Sequence, residues 1–337
     1  FYEGLSDQVL LVLLFVSSFT MFMAGLVANF DYDLKKIIAF STLSQLGLML
    51  SVLSLGESKL AFFHMLMHAL FKALLFMCAG FMIHTMLNSQ DIRSMGSMIN
   101  YIPLTSSFFN ICNLSLCGLP FLSGFYSKDL ILEYMSMNYM NFYIYMIFYI
   151  STGLTVMYTT RLLYYTMLGD YSSTTYVSLV ESNDLMLKGM GGLILLVIFG
   201  GSIVIWLIFP TPYLICLPLM MKSMVLIVIA LGVYLGYLIS LTKFSDISNT
   251  LFFYNLSFFI SSIFNLNFLS TFGVSYYFLN FGNNYSFILD QGWSEYYGSQ
   301  NIYNVMKSTS SFLEKFFFNN IKIFLLLFLV WVCVLFI

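Results

Sequence analysis

Residues 60–86 read LAFFHMLMHALFKALLFMCAGFMIHTM, and this stretch decides the fold. It carries one Lys and no acidic residue, and it is longer than the ~20 apolar residues that cross a bilayer as a helix. Comparable runs fall at about 8–29, 37–55, 104–136, 142–167, 188–209, 222–241 and 320–337. A segment surrounded by hydrocarbon must satisfy its own backbone, which a single helix does. The sequence therefore predicts an all-α, polytopic membrane bundle. Composition agrees: of 337 residues 60% are hydrophobic and 8% charged, against about 25% charged in a soluble domain. Thirteen Lys and Arg against fifteen Asp and Glu give no basic surface for nucleic acid.

The run at 104–136 is too long for one ordinary crossing and is interrupted by Gly118-Leu119-Pro120 and by Gly124. Proline removes a backbone donor and clashes one turn back, so we expect a discontinuous helix of two halves. Lys35, Lys36, Arg93, Arg161, Lys188, Lys243, Lys307 and Lys315 fall on one face if the chain starts outside, with Lys59 and Lys222 on the other. The basic face is then the matrix or cytoplasmic side. Residues 251–281 are rich in Phe and Tyr but broken by Asn255, Asn265, Asn267 and Gly273, and are placed at the interface. From Asn283 to Lys315 apolar and polar residues mix, which predicts an amphipathic helix along the membrane surface, irregular at Gly292 and Gly298. Glu3 and Asp7 stand where a signal peptide would be basic, and the first residue is Phe1, so the N-terminus is read as incomplete.

Ionisable residues inside apolar runs are costly and mark function. His64, His68 and Lys72 are spaced i, i+4, i+8, which sets them on one helix stripe rising about 12 Å. His84 lies near the end of the same run and reads as interfacial. No carboxylate or Cys sits at ligand spacing on the stripe, so no metal site is expected. The five cysteines are scattered and never spaced CxxC, and read as small buried hydrophobes. A second group, Lys128-Asp129 with Glu133 four residues on, follows the helix break directly. A Lys beside a carboxylate, with histidines nearby, suits proton transfer.

The stretches DLKKIIAFSTLSQLG (33–47), HMLMHALFKALLFMCAG (64–80), QDIRSMG (90–96) and GLPFLSGFYSKD (118–129) resemble the chain 5 subunits of mitochondrial NADH–ubiquinone oxidoreductase, respiratory complex I. The agreement is dense over about 30–165, and the skew towards Phe, Tyr, Met, Asn, Ser and Ile resembles an arthropod mitochondrial version. The resemblance implies an antiporter-like core of inverted five-helix repeats. Residues 1–168 then resemble the second repeat, 169–241 two further transmembrane helices, 242–319 an interfacial segment and lateral helix on the matrix side, and 320–337 a terminal anchor. It also implies roles. Lys72 resembles the central lysine of a proton path with His64 and His68 as relays, Lys128 and Asp129 a lysine–acid pair near the exit to the intermembrane space, and Glu133 an acidic position.

The family's first repeat, with its Glu–Lys pair, has no counterpart in this sequence. The implied function is proton translocation in the mitochondrial inner membrane, driven by redox chemistry in other subunits. No cofactor is expected in this chain. NADH, FMN, iron–sulfur clusters and ubiquinone are assigned to partner subunits, and the expected partners are antiporter-like siblings, other membrane and accessory subunits, and lipid. Two alternatives stay open: a sodium/proton antiporter subunit, and a structural subunit whose buried charges only fix packing.

Overall fold

The computed structural model describes residues 4–137, 141–173, 180–181, 184–212, 214–242, 253–318 and 321–336. Glu3 and Lys243, used above, lie outside them, as do residues 1, 2, 138–140, 174–179, 182, 183, 213, 244–252, 319, 320 and 337 of the segments named there. The described chain is helical throughout its elements: α1 (Asp7–Phe30), α2 (Leu34–Ser54), α3 (Ser58–Thr85), the single turn α4 (Met98–Tyr101), α5 (Pro103–Cys117), α6 (Ser123–Met137), α7 (Phe142–Leu163), α8 (Asp184–Ile208), α9 (Leu219–Leu241) and α10 (Tyr254–Ser261). A second unit begins at Phe264 and holds α11 (Leu266–Phe317) and α12 (Ile321–Leu335). Among the described residues six helices are long and apolar enough to cross a membrane: α1, α2, α3, α7, α8 and α9.

The break falls where the sequence placed it. Pro103 opens α5, where its missing N–H is one that no helix bond would use. The carboxylate of Glu181 accepts from the backbone N–H groups of Leu104 (3.0 Å) and Thr105 (2.9 Å), filling two more free donors. At the far end Gly118 turns to φ +83° and stops the helix after Cys117. Phe121, at φ +72°, stands exposed at the tip before α6 begins. At 15 residues each, α5 and α6 extend only about 22 Å.

Glycines let the helices approach at backbone distance, the packing mode available where lipid is as apolar as leucine. A Cβ on Gly124 would overlap the carbonyl oxygen of Ser115, so the start of α6 lies directly on the end of α5. A Cβ on Gly47 would come within 2.9 Å of the Ser17 carbonyl oxygen, and one on Gly201 within 2.6 Å of the Ser123 Cα. These contacts fix α2 on α1 and α8 on the break. A Cβ on Gly236 would overlap the Thr160 hydroxyl and approach the Met157 carbonyl oxygen at 2.8 Å. Gly236→Val should therefore push α9 off α7 and destabilise the bundle by about 1–3 kcal/mol, seen as a lower melting temperature of the detergent-solubilised protein. An unchanged melting temperature would show that this seam has slack.

One end of the bundle is tied by the two arginines. Arg161, buried on α7, donates to the carbonyl oxygens of Asn29 and Asp31, the free acceptors at the end of α1. Its guanidinium lies 5.2 Å from the Tyr32 ring, and that of Arg93 lies 4.3 Å from the same ring. The two residues thus meet at one end, as the charge count placed them. Arg93 also pairs with Asp91 at 2.6 Å and holds that carboxyl below its ordinary value. What the pair contributes is present at neutral pH and is lost as pH falls through the depressed value. Both partners are partly exposed, which keeps the contribution to about 1 kcal/mol or less.

In the second unit the helix differs from the expected one in extent. It starts at Leu266 rather than near Asn283, and runs on to Phe317. Gly273, Gly292 and Gly298 do not break it. Each falls in a stretch of wider, π-type winding: Leu269–Gly273, Ser286–Ser294 and Tyr296–Gln300. Of the asparagines that made 251–281 look irregular, Asn255 lies inside α10 and Asn267 inside α11, whereas Asn265, at φ +57°, stands just before α11 begins. The segment expected as terminal anchor is an apolar helix of 15 residues, Ile321–Leu335.

Candidate functional site

The three ionisable residues of the stripe on α3 face inwards. His64 and Lys72 are 1% and 4% exposed and His68 is 8% exposed, whereas Phe62, Met65 and Phe76 on the other side of the helix are open. His64 bridges two helices. Its Nδ1 lies 2.9 Å from Ser127 Oγ on α6, and its Nε2 lies 3.2 Å from Gln45 Oε1 on α2. A carbonyl oxygen only accepts, so Nε2 carries a proton in this arrangement. In the neutral ring Nδ1 then accepts from Ser127. One turn further, His68 stacks edge-on against Phe71 at 5.2 Å, and its Nε2 is buried with no hydrogen-bond partner among the described residues. The two imidazole centroids are 6.3 Å apart. Lys72, a further turn along, donates to Ser41 Oγ on α2.

The second group forms where α6 leaves the break. Lys128, 4% exposed, turns back towards the end of α5 and donates to the carbonyl oxygen of Leu116 at 3.2 Å and to Thr155 Oγ1 on α7 at 2.9 Å. The Leu116 carbonyl is among those that the helix end leaves free. A lysine inside a helix break thus meets backbone acceptors that an unbroken helix would have used. Ser127, one residue earlier, links this group to His64.

Lys128 and Asp129 form no direct ion pair among the described residues. Among the described residues the ion pairs are Lys36–Asp33 and Arg93–Asp91. Successive residues of a helix point about 100° apart, and Asp129 faces away into a cleft of about 360 Å³ lined also by Glu133 and Lys222. Lys128 and Asp129 do share the wall of a small void of about 10 Å³ beside Cys117 and Thr152, roughly the size that holds one water molecule. The structure therefore brings His64, Ser127 and Lys128 together, strings His68 and Lys72 along α3, and sets Asp129 and Glu133 in the neighbouring cleft. His84 is exposed in the last turn of α3.

Sequence reading passed over the groups that hold these bases: Ser41, Gln45, Ser127 and Thr155. Tyr158 belongs with them. Its hydroxyl, buried on α7, lies against Ser41, Ser44 and Gln45 without hydrogen-bond geometry to any. Two sequence signals pointed there: the polar cluster STLSQ within the run at 37–55, and hydroxyls at 151, 152, 155 and 159, recurring every three to four residues.

The bundle thus holds Lys128 buried at its helix break and His64, His68 and Lys72 buried along α3. Residues 1–155 match the family described as NADH:quinone oxidoreductase/Mrp antiporter, TM. The Mrp complex from Dietzia sp. DQ12-45-1b shares the fold, with a TM-score of 0.57 at 20% identity over 74% of this chain and 30% of that one. Residues 158–337 match the family described as NADH dehydrogenase subunit 5 C-terminus. The chain belongs to the NADH dehydrogenase subunit 5 family. It is similar to NADH-ubiquinone oxidoreductase chain 5 of Aedes aegypti, 54% identical over 96% of this chain and 56% of that protein. The corresponding protein of Locusta migratoria is 50% identical over 96% of this chain and 57% of its own length. The chain thus spans a little over half the length of these curated relatives.

Proposed function

We propose that this chain is the part of a proton-translocating membrane subunit of NADH:ubiquinone oxidoreductase that carries Lys72, His64, His68 and Lys128 as the stations of the path. The observation that supports the reading is the link His64–Ser127: a buried imidazole on α3 is bonded to the residue that directly precedes the buried Lys128 on α6. Each base can exist charged or neutral; His64, Lys72 and Lys128 are bonded to neutral oxygens rather than locked in ion pairs. Asp129 and Glu133 in the adjoining cleft supply proton acceptors on the way out. The driving redox chemistry, with NADH, FMN, iron–sulfur clusters and ubiquinone, is assigned to partner subunits, and the membrane to the mitochondrial inner membrane. Other membrane subunits of that complex are the proposed partners.

Moving one charge against the membrane potential takes about 2.3 kcal/mol per 100 mV. Because one pKa unit corresponds to 1.36 kcal/mol, a swing of a few units at each lysine is the matching scale. A sodium/proton exchanger would call for oxygen ligands around the cation, whereas the buried set here is nitrogen bases. Lys72→Met keeps the length of the side chain and removes its charge. In the assembled complex, protons moved per NADH oxidised should fall about tenfold, the cost of roughly 1.4 kcal/mol on the charged intermediate. The wild type should pump equally in sodium-free buffer. Pumping that survives Lys72→Met, or that needs sodium, would overturn the reading.

A further inference from the structure

Buried hydroxyls in this bundle commonly donate to the carbonyl three residues back in their own helix, as Ser51 does to Leu48 and Ser151 to Phe148. Three of them also meet a titratable nitrogen. Ser41 on α2 donates to Ile38 O at 2.7 Å and accepts from Lys72. Thr155 on α7 donates to Thr152 O at 2.7 Å and accepts from Lys128 at 2.9 Å. Ser127 on α6 lies 3.3 Å from Gly124 O and 2.9 Å from His64 Nδ1. The same arrangement occurs on three helices, once for each of these three bases.

A hydroxyl has one proton to give and two lone pairs. Beside a charged base it accepts the N–H, and its own proton rests on the helix carbonyl. Once the base is neutral, the nitrogen presents a lone pair, and rotation about the Cβ–O bond turns the hydroxyl proton towards it. In a helix interior the carbonyl it leaves keeps its N–H partner from the next turn. Both charge states of the base therefore stay hydrogen-bonded in a place water does not freely reach. No covalent bond changes in this motion, and the hydroxyl keeps its proton throughout.

We propose that Ser41, Ser127 and Thr155 are positioning residues, each turning its single proton between its own helix carbonyl and the neighbouring base as that base gains or loses charge. The inference rests on the proton-moving role proposed above and deepens it by naming what keeps each base paired in both states.

The test uses the full-length subunit in its assembled complex, in native membrane vesicles, scored for protons moved per NADH oxidised and for the amount assembled. Thr155→Val keeps the branched shape and loses the hydroxyl, and should pump about tenfold less. Thr155→Ser restores the hydroxyl and should restore more than half of the flux. Ser51→Ala, which removes a hydroxyl that meets no base, should pump as the wild type. If Thr155→Val does not assemble, Ser41→Ala against Ser41→Thr decides in the same way. Wild-type pumping by Thr155→Val, a deficit that Thr155→Ser does not rescue, or an equal deficit in Ser51→Ala overturns the inference. Lys128→Ala run alongside separates the two claims: its loss of pumping with Thr155→Val unaffected sinks only the hydroxyl device, whereas its normal pumping sinks the path itself.

Discussion

Replacing Lys128 by Ala should leave the subunit folded and assembled while proton movement per NADH oxidised falls by at least about tenfold. The two halves of this expectation have separate physical grounds. Removing one partner of a buried ion pair strands the other charge and usually costs 3–5 kcal/mol. Lys128 has no such partner, since it donates to the Leu116 carbonyl and the Thr155 hydroxyl. Thr155 keeps its own bond to Thr152 when the lysine is gone. The space left adjoins the void beside Cys117 and Thr152, where water can enter to satisfy the Leu116 oxygen. Conduction has no such substitute, because a methyl group cannot hold a proton. Blue-native electrophoresis reads assembly, and a pH-sensitive dye in sealed vesicles reads transport. An assembled Lys128→Ala complex that pumps normally would falsify the assignment.

Gly124→Val should have the opposite profile, with the protein lost rather than its transport. Any Cβ at this position runs into the Ser115 carbonyl oxygen, a backbone atom at the end of α5 that cannot rotate away. Overpacking commonly costs 1–3 kcal/mol and more where the obstacle is rigid. Here the displaced element is the start of α6, which carries Ser127 and Lys128. We expect the assembled complex to fall to a small fraction of wild type, while the residual assembled material also loses its His64–Ser127 contact. Gly124→Ala should show the same effect in weaker form. Full assembly of Gly124→Val would mean that the two helices part more easily than their contact indicates.

Much of this was legible in the sequence because lipid punishes polarity. A Lys at position 72 between two histidines and a run of Leu and Phe stands out against hydrocarbon, and Gly118 to Gly124 announced the break. The hydroxyls did not stand out. Ser and Thr are common in membrane helices since each can bond its own backbone, so nothing in STLSQ or in the α7 run told which ones also meet a base. Lys128 and Asp129 are neighbours in the chain, yet they form no ion pair among the described residues, because a helix turns successive side chains apart. The extent of α11 was missed because Asn255, Asn265 and Asn267 read as breakers, whereas the helix begins among them and accommodates its later glycines by widening its turns. The helix of the second unit illustrates how weakly local propensity binds once a long element is under way.

The glycine seams carry one more implication. Where Gly47, Gly124, Gly201 and Gly236 press main chain against main chain, helices have no clearance to slide or tilt past one another. A transporter that worked by rocking its halves would need such clearance. These seams make the bundle stiff, and on the function proposed above charge would advance by hops between anchored stations while the scaffold around them stays still.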